Sequence, residues 1–142
     1  MTYRTTLAAA VLLLAGCGTT DVAEVDPVSP VGPVWVAEAV GGGALPNQPA
    51  VTLQLGADGQ VAGKAGCNQY SGPYEIGAGT ISFGALASTK MACEDPVMAI
   101  EQGYLDALAK VTHYQVRNLN ELLLLAADDS RIRLRRSDAE VP

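Results

Sequence analysis

Short runs of alternating apolar and polar residues, one apolar stripe at helical spacing, and turn residues between them predict an α+β domain that is mostly β. Antiparallel strands form a curved sheet, and one amphipathic helix plugs it. The clearest run is Val51-Thr52-Leu53-Gln54-Leu55, which alternates with period two ahead of Asp58-Gly59 and a returning Gln60-Val61-Ala62-Gly63, so residues 51–63 read as a hairpin. The helical stripe is Val97, Ile100, Tyr104, Leu108 and Val111, at steps of three and four. The connections are too short for the crossovers that parallel strands need.

Taken in order, Val34-Trp35-Val36-Ala37 opens the folded part as a strand. Gly41-Gly42-Gly43 and Pro46 interrupt it, since proline cannot donate inside a sheet. After the hairpin, Gly66-Cys67-Asn68 breaks the second arm, and Tyr70, Gly72, Tyr74 and Ile76 lead toward the turn residues Gly77 and Gly79. Thr80-Ile81-Ser82-Phe83 forms a further strand whose partner the sequence leaves open. Asp95-Pro96 announces the helix, because an aspartate cap accepts orphan N–H bonds and the fixed φ of proline suits the first turn. The helix is expected to end near Val111. Three strands close the chain at residues 113–117, 122–126 and 131–135, joined by turns at Asn118-Leu119-Asn120 and Asp128-Asp129.

Ahead of this domain, Leu14-Ala15-Gly16-Cys17 ends a short apolar run behind Arg4 and matches the four-residue signal with which bacteria lipidate and cleave a secreted precursor. Residues 7–14 are too few to cross a hydrocarbon core of about 30 Å as a helix. Residues 1–16 are therefore read as a cleaved lipoprotein signal peptide. Residues 17–33 are the lipidated cysteine and a flexible Pro- and acid-rich tether, 34–136 the domain, and 137–142 a C-terminal tail. Residues 18–33 carry Asp21, Glu24, Asp26 and three prolines, and reach about 50 Å at roughly 3.1–3.3 Å per residue. The expected location is the cell envelope, on a membrane through the lipid at Cys17. Gly18 stands where an aspartate would signal inner-membrane retention, which favours the outer membrane, facing the periplasm, in a host with two membranes.

The 142-residue chain has nine basic and fifteen acidic residues, a formal charge of −6. Losing Arg4 with the leader leaves eight basic residues and a charge of −7, on a length that holds one domain with one core. No nucleic-acid partner is expected, because phosphate binding releases counterions only against a basic face. The one dense basic stretch, Arg131, Arg133, Arg135 and Arg136, has Ile132 and Leu134 between its arginines. That is the pattern of a half-buried strand with arginine on its wet face; contact with anionic headgroups or peptidoglycan is the alternative.

With Cys17 carrying lipid, Cys67 and Cys93 remain, and outside the cytoplasm such a pair reads first as a disulfide. Free structural thiols and a redox or nucleophilic pair are the alternatives. Lys64 and Lys90 each stand three residues before a cysteine, where an ammonium can activate a thiol, but residues three apart in a strand point to opposite faces. A zinc site needs two further ligands, and only His113 and scattered carboxylates are at hand, so no metal is assigned. His113 is the only histidine; no nucleophile motif points to it, and it reads as a solvent-edge or packed side chain just beyond the expected helix end, where an imidazolium suits the carbonyl terminus. No catalytic residue and no cofactor is assigned.

Three stretches taken together carry a resemblance. They are Gly63-Lys64-Ala65-Gly66-Cys67-Asn68-Gln69-Tyr70-Ser71-Gly72-Pro73-Tyr74, then Ser88-Thr89-Lys90-Met91-Ala92-Cys93, then Met98 and Glu101 ahead of Tyr104-Leu105 and Leu108. The chain resembles the META/HslJ-type domain family, with its Gly-Cys-Asn before an aromatic-Ser-Gly-x-Tyr run, its Thr-x-Met-Ala-Cys run, and a helix with Glu and spaced apolar residues. The resemblance covers residues 35–134. It implies a strongly bent, barrel-like antiparallel sheet around one helix, a lipid-anchored or secreted envelope protein linked to stress tolerance, and no enzymatic activity.

Asn68, Tyr70, Tyr74 and Glu101 are the candidate loop-anchoring or binding residues. Glu101 lies on or beside the apolar helix face, where a buried carboxylate needs a partner, and the N–H groups of the Cys67-Asn68 loop can supply one. A carboxylate at the edge of the stripe is the alternative. Asn68 and Tyr70 read as loop-shaping polar groups. The functional expectation is a non-catalytic envelope lipoprotein whose curved sheet binds a partner protein or an apolar ligand. A purely structural, stress-protective domain and a thiol-dependent redox enzyme are the two alternatives.

Overall fold

A computed structural model describes residues 28–137; the leader, Cys17, most of the tether and the tail after Ser137 lie outside the described residues. The elements follow in the order β1 (Val34–Val40), β2 (Gly43–Ala44), β3 (Thr52–Leu55), β4 (Gln60–Lys64), β5 (Gln69–Ile76), β6 (Ile81–Phe83), β7 (Ala87–Ser88), α1 (Asp95–Leu108), β8 (Val111–Arg117), β9 (Glu121–Ala126) and β10 (Arg131–Arg136). Neighbouring strands run antiparallel in the order β6-β5-β4-β3-β1-β10-β9-β8, with β2 against β1 and β7 against β5. The first and last strands therefore meet in mid-sheet, where Val36 faces Arg135. The two ends of the order also come together: Thr80 bridges His113, and Tyr114 N–H donates to Gly79 O at 3.0 Å. The sheet is nearly closed into a barrel, which removes most of its exposed edge.

The pleat decides what goes inside. On β10, Ile132 and Leu134 are buried while Arg131, Arg133 and Arg135 are exposed; on β9, Leu122 and Leu124 are buried. Leu123 has the outward parity yet is only 4% exposed, because it sits between Arg133 on β10 and Gln115 on β8, whose long side chains flank it. Trp35, Leu53, Leu55, Val61 and Ile81 fill the rest of the interior. The Trp35 indole N–H donates to Pro30 O at 2.9 Å and so draws the last tether residues under one mouth of the barrel. On that same side Gly32 N–H donates to Leu55 O, next to the turn that starts β4. The chain beyond the other end of β4 touches Val97 and Ile100, so α1 lies across the opposite mouth. Tyr104 and Leu108 enter the core fully, while Val97 and Ile100 of the same stripe are only partly covered.

Some boundaries differ from those the sequence suggests. Asp95 is the first helical residue; the cap position belongs to Glu94, whose side chain makes no capping bond, and Pro96 in the first turn pre-sets the start. The helix stops at Leu108 because Val111 is taken into β8 opposite Ala126. His113 therefore stands within a strand at the barrel seam, away from the helix carbonyls. β6 finds its partner in the lower half of β5, from Tyr74 to Ile76, whereas β7 pairs with Tyr70 and Ser71. Pro73 stands at that change of partner, where a missing N–H costs the ladder least.

Candidate functional site

The Gly-Cys-Asn run sits where the chain leaves β4 and turns into β5. Gly66 has φ +110°, a conformation L side chains rarely adopt, and a Cβ there would meet Val97 and Ile100 at 3.6–3.8 Å. The turn thus lies directly against the helix. Cys67 is bonded to Cys93 across 6.1 Å between Cα atoms, which ties the turn to the segment entering α1.

Asn68, 2% exposed, stands between these fixed points and uses all four of its side-chain hydrogen-bonding positions. Its backbone N–H donates to Glu101 Oε2 at 2.7 Å, and its Nδ2 donates to Glu101 Oε1 at 2.8 Å and to Met91 O at 3.1 Å. Its Oδ1 accepts from Met91 N–H at 2.7 Å and from Thr89 Oγ1 at 2.9 Å. Glu101 is 6% exposed, and two short bonds from one residue supply what a buried carboxylate requires. One asparagine therefore fastens the β4–β5 turn, the segment after β7, and α1 to one another.

Tyr70 and Tyr104 extend this fastening into the core. The Tyr70 hydroxyl donates to Thr52 O at 2.8 Å, so the 2.8 Å contact between the two phenols uses the Tyr104 proton. The rings meet edge to face with centroids 5.8 Å apart. Gly63, paired opposite Tyr70, makes the room: a Cβ there would collide with Thr52 O and lie 2.8 Å from the Tyr70 hydroxyl. Burial raises the pKa of both phenols above the ordinary value of 10, and the nearby Tyr70 adds to the rise at Tyr104. Tyr74 lies at the far end of β5, where its hydroxyl donates to Gly56 O at 2.6 Å. Burial, with the Asp58 carboxylate second, raises its pKa too.

The structure thus brings Cys67, Asn68, Cys93 and Glu101 together and joins Tyr70 to them through the core, while Tyr74 secures the opposite turn. Cys17 lies outside the described residues. Gly63, Thr89 and the Tyr104 hydroxyl belong to the same construction, and sequence reasoning alone assigns them no role. A glycine inside a hairpin arm is a signal of close approach by another group, and a tyrosine in an aliphatic stripe is one of a buried partner. Thr89 carries none. Among the described residues every buried side-chain nitrogen and oxygen has a partner, and no three His, Cys, Asp or Glu side chains converge as a metal site requires. The chemistry available to the cluster is that of a fastener, since its polar atoms are taken up by one another.

Next to the cluster, on the outside of the barrel, β3, β4, β5 and β7 frame an open groove of about 580 Å³. Thr52, Gln54, Gln69, Ser71, Ser88 and Thr89 supply its polar lining. Thr89 joins the two features, because its Oγ1 donates to Asn68 and accepts from Gln69 N–H at 3.2 Å.

A near-closed antiparallel barrel with one helix across its mouth, held by a cystine and a buried Asn–Glu pair, defines a small β module with a packed interior. The sequence model of the META domain matches residues 30–139, and the chain belongs to the META-domain family. Among solved structures it is similar to an NMR structure of a protein from Burkholderia xenovorans, with 26% identity and a TM-score of 0.62 over 97% of this chain and 100% of that one. A second NMR structure shares the fold at 21% identity and a TM-score of 0.59, covering 72% of this chain and 87% of its own. No curated protein sequence matches the chain.

Proposed function

We propose that the protein is a lipid-anchored envelope protein whose META domain does no catalysis and binds a partner protein through its outer groove, in the service of envelope stress tolerance. The observation that carries this reading is the groove itself. It is concave, sets polar side chains into a lining that is mostly apolar, and is stiffened from behind by the bonds of Thr89 and Asn68. An apolar ligand has less to recommend it, since Trp35, Tyr104, Leu108 and the inward leucines occupy the barrel interior. A thiol enzyme has less still, because Cys67 and Cys93 are joined to each other. The anchor rests on Leu14-Ala15-Gly16-Cys17.

Two measurements test the proposal. Mass analysis of the native product should find a chain starting at a diacylglyceryl-modified Cys17; a product that still carries Met1 removes the anchor. A photo-crosslinking residue placed at Gln54 or Ser71 should give one shared adduct in cells that is absent when the probe stands at Gln102 on the exposed side of α1. Equal labelling from all three positions, or none, would leave the purely structural role in possession.

A further inference from the structure

Arg131, Arg133 and Arg135 are exposed on the outer face of β10, and two strand residues span about 7 Å, so the guanidinium stems form a regular row. Arg117 lies at the end of β8 on the far side of β9, and Arg136 ends β10. Five of the nine basic residues of a chain with formal charge −6 thus stand on two strands of one wall. Four carboxylates share or border that wall, counting Asp128 and Asp129 in the turn from β9 to β10. Glu38 on β1 lies 3.1 Å from Arg135 and 3.6 Å from Arg133, and Glu121 pairs opposite Arg135 and Arg117. Five arginines against these four carboxylates still leave the wall positive in a chain that is acidic overall, while Asp58, Glu75, Glu94, Asp95, Glu101 and Asp106 lie elsewhere. Between the β10 row and Arg117 run Leu123, covered by the flanking long side chains, and the half-buried Leu125; long basic stems over apolar side chains are the arrangement that suits a headgroup layer.

From this wall we infer that β8–β9–β10 docks on anionic phospholipid headgroups and lays the tethered barrel on its side against the membrane. The inference rests on the lipid-anchored reading for its setting. Where the chain enters supports the choice of occupant: Val28 lies beside Tyr114, Val116 and Arg117, at the foot of the same wall. Cys17 stands eleven residues earlier, which spans at most about 36 Å, so a lipid there keeps the arginines within reach of a bilayer surface. The net acidic molecule is repelled by an anionic surface in most orientations, and this wall is the one the field draws inward.

The test uses the chain from residue 17 onward with Cys17→Ser, which carries no lipid and contains the whole described barrel. Sedimentation with phosphatidylglycerol-containing vesicles should show binding that is absent with pure phosphatidylcholine and fades as salt rises from about 0.05 to about 0.5 M. Arg131→Gln and Arg133→Gln should each weaken it about fivefold. Lys64→Gln with Lys90→Gln, which removes the same charge as the two arginine changes from β4 and the segment after β7, should leave it unchanged. Glu38→Gln should strengthen it. Equal binding to neutral vesicles, a loss in the lysine double equal to that when Arg131→Gln and Arg133→Gln are combined, or no binding overturns the inference. Because the anchor is read separately from the mass of the native product, failure of one is told apart from failure of the other.

Discussion

Glu101 grips Asn68 with both carboxylate oxygens, one on the backbone N–H at 2.7 Å and one on the side-chain amide at 2.8 Å, across 33 residues of sequence. This pair, with the cystine beside it, joins the helix to the barrel at the point where the chain turns from β4 into β5. A helix of fourteen residues gains little stability by itself in water, so its place across the mouth depends on such ties and on Tyr104 and Leu108 in the core.

Glu101→Gln should therefore destabilise the domain by about 2–3 kcal/mol. It keeps the volume but turns an amide donor toward one of the two Asn68 donors and removes the charge that strengthens both bonds. Chemical denaturation of the two proteins side by side checks it. A loss below about 0.5 kcal/mol would mean that the pair is ornamental.

The phenols predict an alkaline limit. Folded Tyr70 and Tyr104 keep their protons above pH 10, where the unfolded chain begins to lose them. Their contribution is complete below pH 10 and declines as pH rises, since the unfolded state then binds fewer protons than the native one. The slope should approach about 2.7 kcal/mol per pH unit for two such groups. Urea melts between pH 9 and pH 11, about one unit either side of that value, should show it. Most of the slope should vanish in the Tyr70→Phe, Tyr104→Phe double variant.

Opening the Cys67–Cys93 bond frees a loop defined by a separation of 26 residues and should cost about 3.5 kcal/mol in the chain-closure account. Cys67→Ala with Cys93→Ala measures this by denaturation. In the intact protein, alkylation of either sulfur should require prior reduction; labelling without reductant would contradict the bond.

Two glycines give opposite outcomes for one substitution. Gly63→Ala drives a Cβ into Thr52 O and the Tyr70 hydroxyl and should cost about 3 kcal/mol or more. Gly103→Ala, in an exposed turn of α1 with open space around it, should stabilise by about 0.5–1 kcal/mol. Thermal melts of both variants decide whether the close approach at Gly63 is what singles it out.

Period-two alternation, turn residues and one helical stripe were enough to determine an antiparallel sheet with a single helix, because these patterns report local conformation and which side of each element avoids water. The alternation at Leu53, Leu55, Ile132 and Leu134 put the right residues inside, and the cysteine count pointed to Cys67 and Cys93. What tertiary structure alone decided is who meets whom. That β1 lies beside β10, and that Asn68 is completed by Thr89, Met91 and Glu101, depend on how the whole chain closes up. Such pairings join residues tens of positions apart, and their energy appears only when the whole sheet has curled. No local pattern encodes that geometry.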